Sequence, residues 1–213
     1  MVGRARQYEL IAPVYDLVSG EWPVYRAGRL AGVSGLRLSR GDRVLVVGCG
    51  TGLDLRPVHD RVGDAGRFVG LDASRAMLGR AGRRAASLGW SGVGLVAGDA
   101  TRPPSQRLAE ALGDDGADAV LFTYALSLMD DWPTAWRAAV ALARPGARVA
   151  VVDMQRAQRG PRPLRALADV AMWSGGADPA ARPWQAVEQQ CTDVDRADLR
   201  GGHVQVRAGT LPT

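Results

Sequence analysis

Residues 44–55 read VLVVGCGTGLDL. An apolar run meets three glycines within five residues, then resumes with helical spacing. A short β-branched run ended by glycine marks a buried strand, so RVLVVG at 43–48 is expected to be one, with the glycines as the turn out of it. Such a turn lets backbone amides approach a bound group closely. A phosphate, a dinucleotide and a nucleoside carrying an amino-acid tail compete for that position. A phosphate-binding loop needs Lys and Ser/Thr after its last glycine, and neither comes after Gly52. A dinucleotide fingerprint places its third glycine at position 53, which here is Leu53. The spacing that remains is G-x-G-x-G.

Outward from this loop, strands and helices alternate. RFVGLD (67–72), VGLVAGDA (93–100), ADAVLFTYAL (117–126) and ARVAVVDM (147–154) read as further strands. A short helix is expected over 53–62, with Pro57 limiting its regularity. A second runs over 74–89, with Ser74 as N-cap and Gly89 as its stop. A third spans 131–146, with Pro133 in its first turn and Pro145-Gly146 at its end. After 154 the pattern changes to a Pro-, Gly- and Arg-rich stretch expected to hold a helix at 164–173. A short helix is expected at 184–191, then two antiparallel strands over 193–211 around Arg200-Gly201-Gly202. This order implies a doubly wound, mostly parallel α/β sheet, with a ligand beyond the carboxyl ends of its strands. Residues 5–31 are expected to form helices covering that ligand face.

The chain has 213 residues, 46% of them hydrophobic and 23% charged, which suits one well-cored globular domain. It divides into an N-terminal helical cover (1–40), a cofactor-binding core (41–154) and C-terminal helices with a hairpin (155–213). No run of apolar residues is long enough to span a membrane. The opening MVGRARQYELIAPVYD has neither an apolar core nor a small-residue cleavage site, which points to a cytoplasmic protein. The net charge is +5, and every basic residue is Arg. The arginines are scattered rather than blocked with aromatics, which argues against a nucleic-acid surface. Cys49 and Cys191 lie in no metal-ligand spacing, so neither a disulfide framework nor a metal site is expected.

The glycine loop, together with three segments downstream of it, resembles the first motif and later motifs of class I S-adenosylmethionine-dependent methyltransferases. FVGLDASRAML (68–78) resembles the family's second motif, with an acid ending strand two. AGDAT (97–101) resembles the segment after strand three. The block 117–153 resembles strand four, its helix, the LRPGG turn (here with Ala147 in place of the second glycine) and strand five. The resemblance covers nearly the whole chain and implies a Rossmann-like sheet of seven strands.

It also implies a site for S-adenosyl-L-methionine. Gly48, Cys49, Gly50 and Gly52 bring backbone against the methionyl part. Asp72 accepts from the ribose hydroxyls and Asp99 from the adenine amino group, with Ala73, Met77 and Ala100 around the ring. Thr123, Tyr124 and Leu126 line the transferable methyl. One departure is Val46, where many members carry an acid that helps organise the pocket around the cofactor's amino group.

On the acceptor side, APVYDLVSGEWPVYR resembles segments of quinone-biosynthesis and phospholipid N-methyltransferases. By that resemblance Tyr15 closes over the cofactor. Tyr8, Trp22 and Tyr25 form an aromatic wall able to hold a methylated ammonium, and Ser127 lies near the methyl. The hairpin's GGH (201–203) resembles the end of lipid-amine methyltransferases, which implies His203 as a substrate contact. His59 faces the surface, and Trp132 and Trp136 pack in the core. The expected acceptor is a small molecule, with a lean to an amine or lipid head group and to peripheral membrane contact. No catalytic residue is assigned, because an activated sulfonium needs alignment more than acid–base help. A nicotinamide-dependent oxidoreductase, an RNA methyltransferase and a non-catalytic cofactor-binding partner subunit stand as rivals.

Overall fold

A computed structural model describes residues 25–159, 178 and 180–213. Seven strands form one sheet in the order β3-β2-β1-β4-β5-β7-β6. They are β1 (Arg43–Val47), β2 (Arg67–Asp72), β3 (Val93–Ala97), β4 (Ala117–Thr123), β5 (Ala143–Met154), β6 (Thr192–Leu199) and β7 (Val204–Thr210). The pairs among β1–β5 are parallel. β7 runs antiparallel to both β5 and β6, giving the expected C-terminal hairpin. The helices are α1 (Arg26–Gly35), α2 (Leu55–Val62), α3 (Arg75–Leu88), α4 (Ser105–Leu112), α5 (Trp132–Val140) and α6 (Gln185–Gln190).

β1 is buried on both faces because helices cover both. Val44 and Val46 face a cluster built by α1, α2 and α3, including Val33, Leu55, Val58 and Ala81. Leu45 and Val47 face the opposite cluster, built by α4, α5 and α6, including Leu108, Leu112, Trp136 and Val187. Strand order reverses between β1 and β4, so a crevice lies at their carboxyl ends. No helix among the described residues is long and apolar enough to cross a membrane.

Several boundaries differ from expectation for local reasons. Pro57 does not disturb α2, since it lies in the first turn, where helix N–H groups have no intrahelical acceptor. β3 ends at Ala97 because Asp99 folds back onto Thr101. β4 ends at Thr123, where Tyr124 turns to φ 53°. α5 stops at Val140, and β5 begins at Ala143, whose residues pair with β4 across a bulge. α4 is an element not expected from the sequence. Ser74 and Gly89 cap α3 as expected. The expected helix at 164–173 lies outside the described residues.

Candidate active site

The three glycines of the loop all have positive φ, 69°, 53° and 80° at Gly48, Gly50 and Gly52. Gly48 and Cys49 donate their N–H groups to the Leu71 carbonyl at the end of β2. A Cβ on Gly48 would lie 2.5 Å from the Ala125 Cβ, and one on Gly52 would lie 2.6 Å from Leu55 Cδ1 and 3.0 Å from Ala81 Cβ. Those two glycines are therefore demanded by the protein's own packing. A Cβ on Gly50 meets nothing within 4 Å among the described residues. Among these residues the loop is open at its middle glycine. Cys49 is buried, and burial raises its thiol well above the usual range, as suits a packing residue.

Asp72 ends β2 beside this opening. Its Oδ2 accepts the Gly50 N–H at 2.8 Å and its Oδ1 accepts the Ser74 N–H at 2.9 Å. Burial raises its carboxyl above the usual range, against the pull of those two donors. Ala73 is exposed and Met77 is buried beneath it on α3. Beyond β3, Asp99 Oδ1 accepts both the N–H and the hydroxyl of Thr101, at 2.9 and 2.8 Å. Ala100 beside it is buried.

A second carboxylate, within the glycine-loop stretch, was given no role by the sequence reading. Asp54 precedes α2 and is 1% exposed. Its Oδ2 accepts from the Thr123 hydroxyl at 2.6 Å and lies 2.8 Å from Arg29 Nη1. Arg29 also donates to Thr123 Oγ1 at 3.1 Å. Asp54 Oδ1 is buried with no hydrogen-bond partner among the described residues. The signal for both residues was a charge in line with an apolar stripe: Arg29 with Val33 on α1 and Leu36 just after it, and Asp54, just before α2, with Val58 on that helix.

Aromatic groups continue the seam away from the loop. The Arg29 guanidinium lies 5.8 Å from the Tyr124 ring centroid, and Tyr124 and Tyr25 stand 4.9 Å apart. Tyr124 donates its hydroxyl to the Tyr25 carbonyl at 2.7 Å. His203 Nδ1 lies 2.7 Å from the Gln155 carbonyl, which can only accept, so Nδ1 carries a proton. With the ring neutral, its Nε2 then accepts from the Tyr25 hydroxyl at 3.4 Å.

Other predicted positions fall elsewhere. Leu126 is fully buried in the cluster beneath α5, so it faces the core and not a methyl group. Ser127 is 1% exposed and donates its hydroxyl to Asp153, which also accepts the Ser127 and Met154 N–H groups. That commitment removes Ser127 from the acceptor side. Burial raises the Asp153 carboxyl to about 6. Trp136 stacks on Phe122, as packing predicts. His59 is half-buried against Trp90 and Asp64 rather than simply facing solvent. Tyr8, Tyr15 and Trp22 lie outside the described residues.

Residues 38–195 match the family described as a methyltransferase domain. The chain is 34% identical over 152 residues to a 2-phytyl-1,4-naphtoquinone methyltransferase of Synechococcus elongatus, covering 70% of this chain and 62% of that protein. It is 32% identical over 151 residues to the demethylmenaquinone methyltransferase of Mycobacterium marinum, covering 71% and 56% respectively. The chain thus spans about three-fifths of the length of these curated relatives. Among solved structures, the [4+2]-cyclase SpnF matches with a TM-score of 0.71 at 18% identity, over 98% of this chain and 95% of that one, a likeness of fold alone.

Proposed function

Since the chain belongs to the methyltransferase-domain family, we propose that it moves a methyl group from S-adenosyl-L-methionine to a small-molecule acceptor bearing a quinol-type ring. The observation that carries the donor half is the opening at Gly50, held by Asp72, with a second carboxylate at Asp54. The residues fit that donor. Asp72 contacts no cation among the described residues and keeps unused lone pairs beside its two backbone bonds. A desolvated carboxylate of that kind suits a ligand with hydroxyl donors and a positive charge.

When bound, the donor supplies a methyl already activated on a sulfonium. The chain's part is to align it with the acceptor. Asp72 holds the ribose hydroxyls, and Asp99 uses Oδ2, beside the oxygen taken by Thr101, for the adenine amino group. Ala73, Met77 and Ala100 enclose the ring, and Thr123 and Tyr124 stand at the methyl's side of the crevice.

Tyr25, Tyr124 and His203 form the acceptor wall. A ring hydroxyl would give up its proton as a ring carbon takes the methyl, the methyl–sulfur bond would break to release S-adenosylhomocysteine, and the proton of that ring carbon would return to the ring oxygen. Tyr25 passes its own proton to His203 Nε2 as it takes that of the acceptor, and the Gln155 carbonyl keeps the imidazole oriented throughout. The similarity to two quinone methyltransferases supports a ring acceptor over the amine or lipid head group suggested by sequence resemblance. The test is a transfer assay with methyl-labelled S-adenosyl-L-methionine against a naphthohydroquinone, a phenol, ethanolamine and transfer RNA. Label on the hydroquinone supports the proposal. Label on ethanolamine or RNA alone overturns the acceptor, and cofactor binding with no transfer to any of them favours a non-catalytic subunit.

A further inference from the structure

Asp54 is held in an unusual way. All of its contacts fall on one oxygen: Thr123 Oγ1 and Arg29 Nη1 both reach Oδ2. The other oxygen is cut off from water and accepts nothing from the described residues. A buried carboxylate oxygen without a donor costs about 1–3 kcal/mol or more, and native proteins seldom keep such groups without a reason. Asp54 also makes no capping bond to the first turn of α2, although it sits at the N-cap. A side chain that forgoes a cap and leaves an oxygen empty is kept for a group the protein alone does not supply.

The position says what that group is. Asp54 lies two residues beyond Gly52, and its partner Thr123 ends β4, so the Asp54 carboxylate sits where the loop after β1 meets the carboxyl end of β4. The other carboxylate at the loop, Asp72, already accepts a backbone N–H on each oxygen and stands on the far side, at β2. β1 itself offers no acid there, since Val46 is buried among apolar side chains. Asp54 forms a buried ion pair with Arg29 through Oδ2 alone, and a second carboxylate oxygen in so apolar a setting suits a cationic donor.

We propose that Asp54 Oδ1 accepts the α-ammonium of the methyl donor's amino-acid tail, with Arg29 and Thr123 as positioning residues that hold Oδ2. This rests on the cofactor reading under Proposed function. Asp72 and Asp54 then divide the ligand, the first taking its nucleoside half and the second its amino-acid half.

The two halves can be tested apart by calorimetry on the full chain. The ligands are S-adenosylhomocysteine, its analogue lacking the α-amino group, and 5′-methylthioadenosine, which has no amino-acid tail. The parent should bind S-adenosylhomocysteine about 10- to 100-fold more tightly than the analogue, the range for one charged hydrogen bond. Asp54→Asn should lose that preference and still bind 5′-methylthioadenosine like the parent. Equal binding of the two tailed ligands by the parent overturns the proposal, even if Asp54→Asn does not fold. So does an Asp54→Asn protein that keeps the preference. If 5′-methylthioadenosine binds and the amino group makes no difference, the cofactor reading stands and only the role of Asp54 fails. If no adenosyl ligand binds the parent, both fail together.

Discussion

The carboxylate of Asp72 accepts the backbone N–H of Gly50 at 2.8 Å. This bond ties the end of β2 to the middle of the loop after β1 and holds the loop at the glycine that is open among the described residues. Asp72 therefore shapes the site as well as offering lone pairs to a ligand.

Asp72→Ala should weaken S-adenosylhomocysteine binding about 100-fold or more, since it removes at least two charge-assisted hydrogen bonds. Unlike a change at Asp54, it should weaken 5′-methylthioadenosine equally, because that ligand keeps the ribose. Calorimetry that finds parental affinity for both ligands places the ribose elsewhere.

Gly50→Ala and Gly48→Ala should separate binding from stability. At Gly50 the added methyl meets no atom of the described residues, so the left-handed backbone costs about 1–2 kcal/mol. The methyl does occupy the ligand's space, so binding should be lost in a folded protein. At Gly48 the methyl meets Ala125, and overpacking of about 1–3 kcal/mol is added to the backbone cost. Thermal unfolding should fall further for Gly48→Ala than for Gly50→Ala, and the reverse order contradicts this assignment.

Ser127→Ala should act on stability and not on the acceptor. It takes a hydroxyl donor from the fully buried Asp153 carboxyl, at a cost of about 1–3 kcal/mol. The KM for the acceptor should stay at the parental value while Tm drops. A raised KM with an unchanged Tm would return Ser127 to the acceptor side.

Asp118 should make stability acid-sensitive. It accepts from the backbone and guanidinium of Arg43 and from Arg144, joining the starts of β1, β4 and β5. Burial opposes its ionisation, but the Arg43 and Arg144 bonds prevail and lower its pKa to about 2. Between this value and the ordinary carboxylate range, the unfolded chain binds more protons than the folded one, so stability rises with pH there. The contribution, about 2 kcal/mol, is fully present above about pH 4 and lost as pH falls through 2. Asp118→Asn should lose that amount at pH 7 and should no longer show this acid-dependent component. Parallel stability curves for parent and variant from pH 5 down to 2 would refute it.

The parts of the fold read directly from the sequence are those where one local pattern decides. RVLVVG is apolar on every residue after its first because helices cover both faces of β1. Ser74 and Gly89 bound α3 because each supplies what its terminus lacks. α4 escaped because Leu108 and Leu112 are its only buried residues, too few to set a period. In the site, Asp72 was legible as an acid ending a strand next to a glycine loop. Asp54 and Arg29 were not, because their meaning lies in a contact with Thr123, far along the chain in sequence. Leu126 and Ser127, expected beside the methyl, are both buried just after the turn at Tyr124, a placement that the strand pattern of 117–126 did not signal.

Every role proposed for the site depends on the crevice beside Gly50 taking an S-adenosyl ligand. Calorimetric titration of the full chain with S-adenosylhomocysteine, with NAD as the control, measures this without any variant. Saturable binding of S-adenosylhomocysteine and none of NAD is the predicted result. Binding of NAD alone, or of neither, would contradict it.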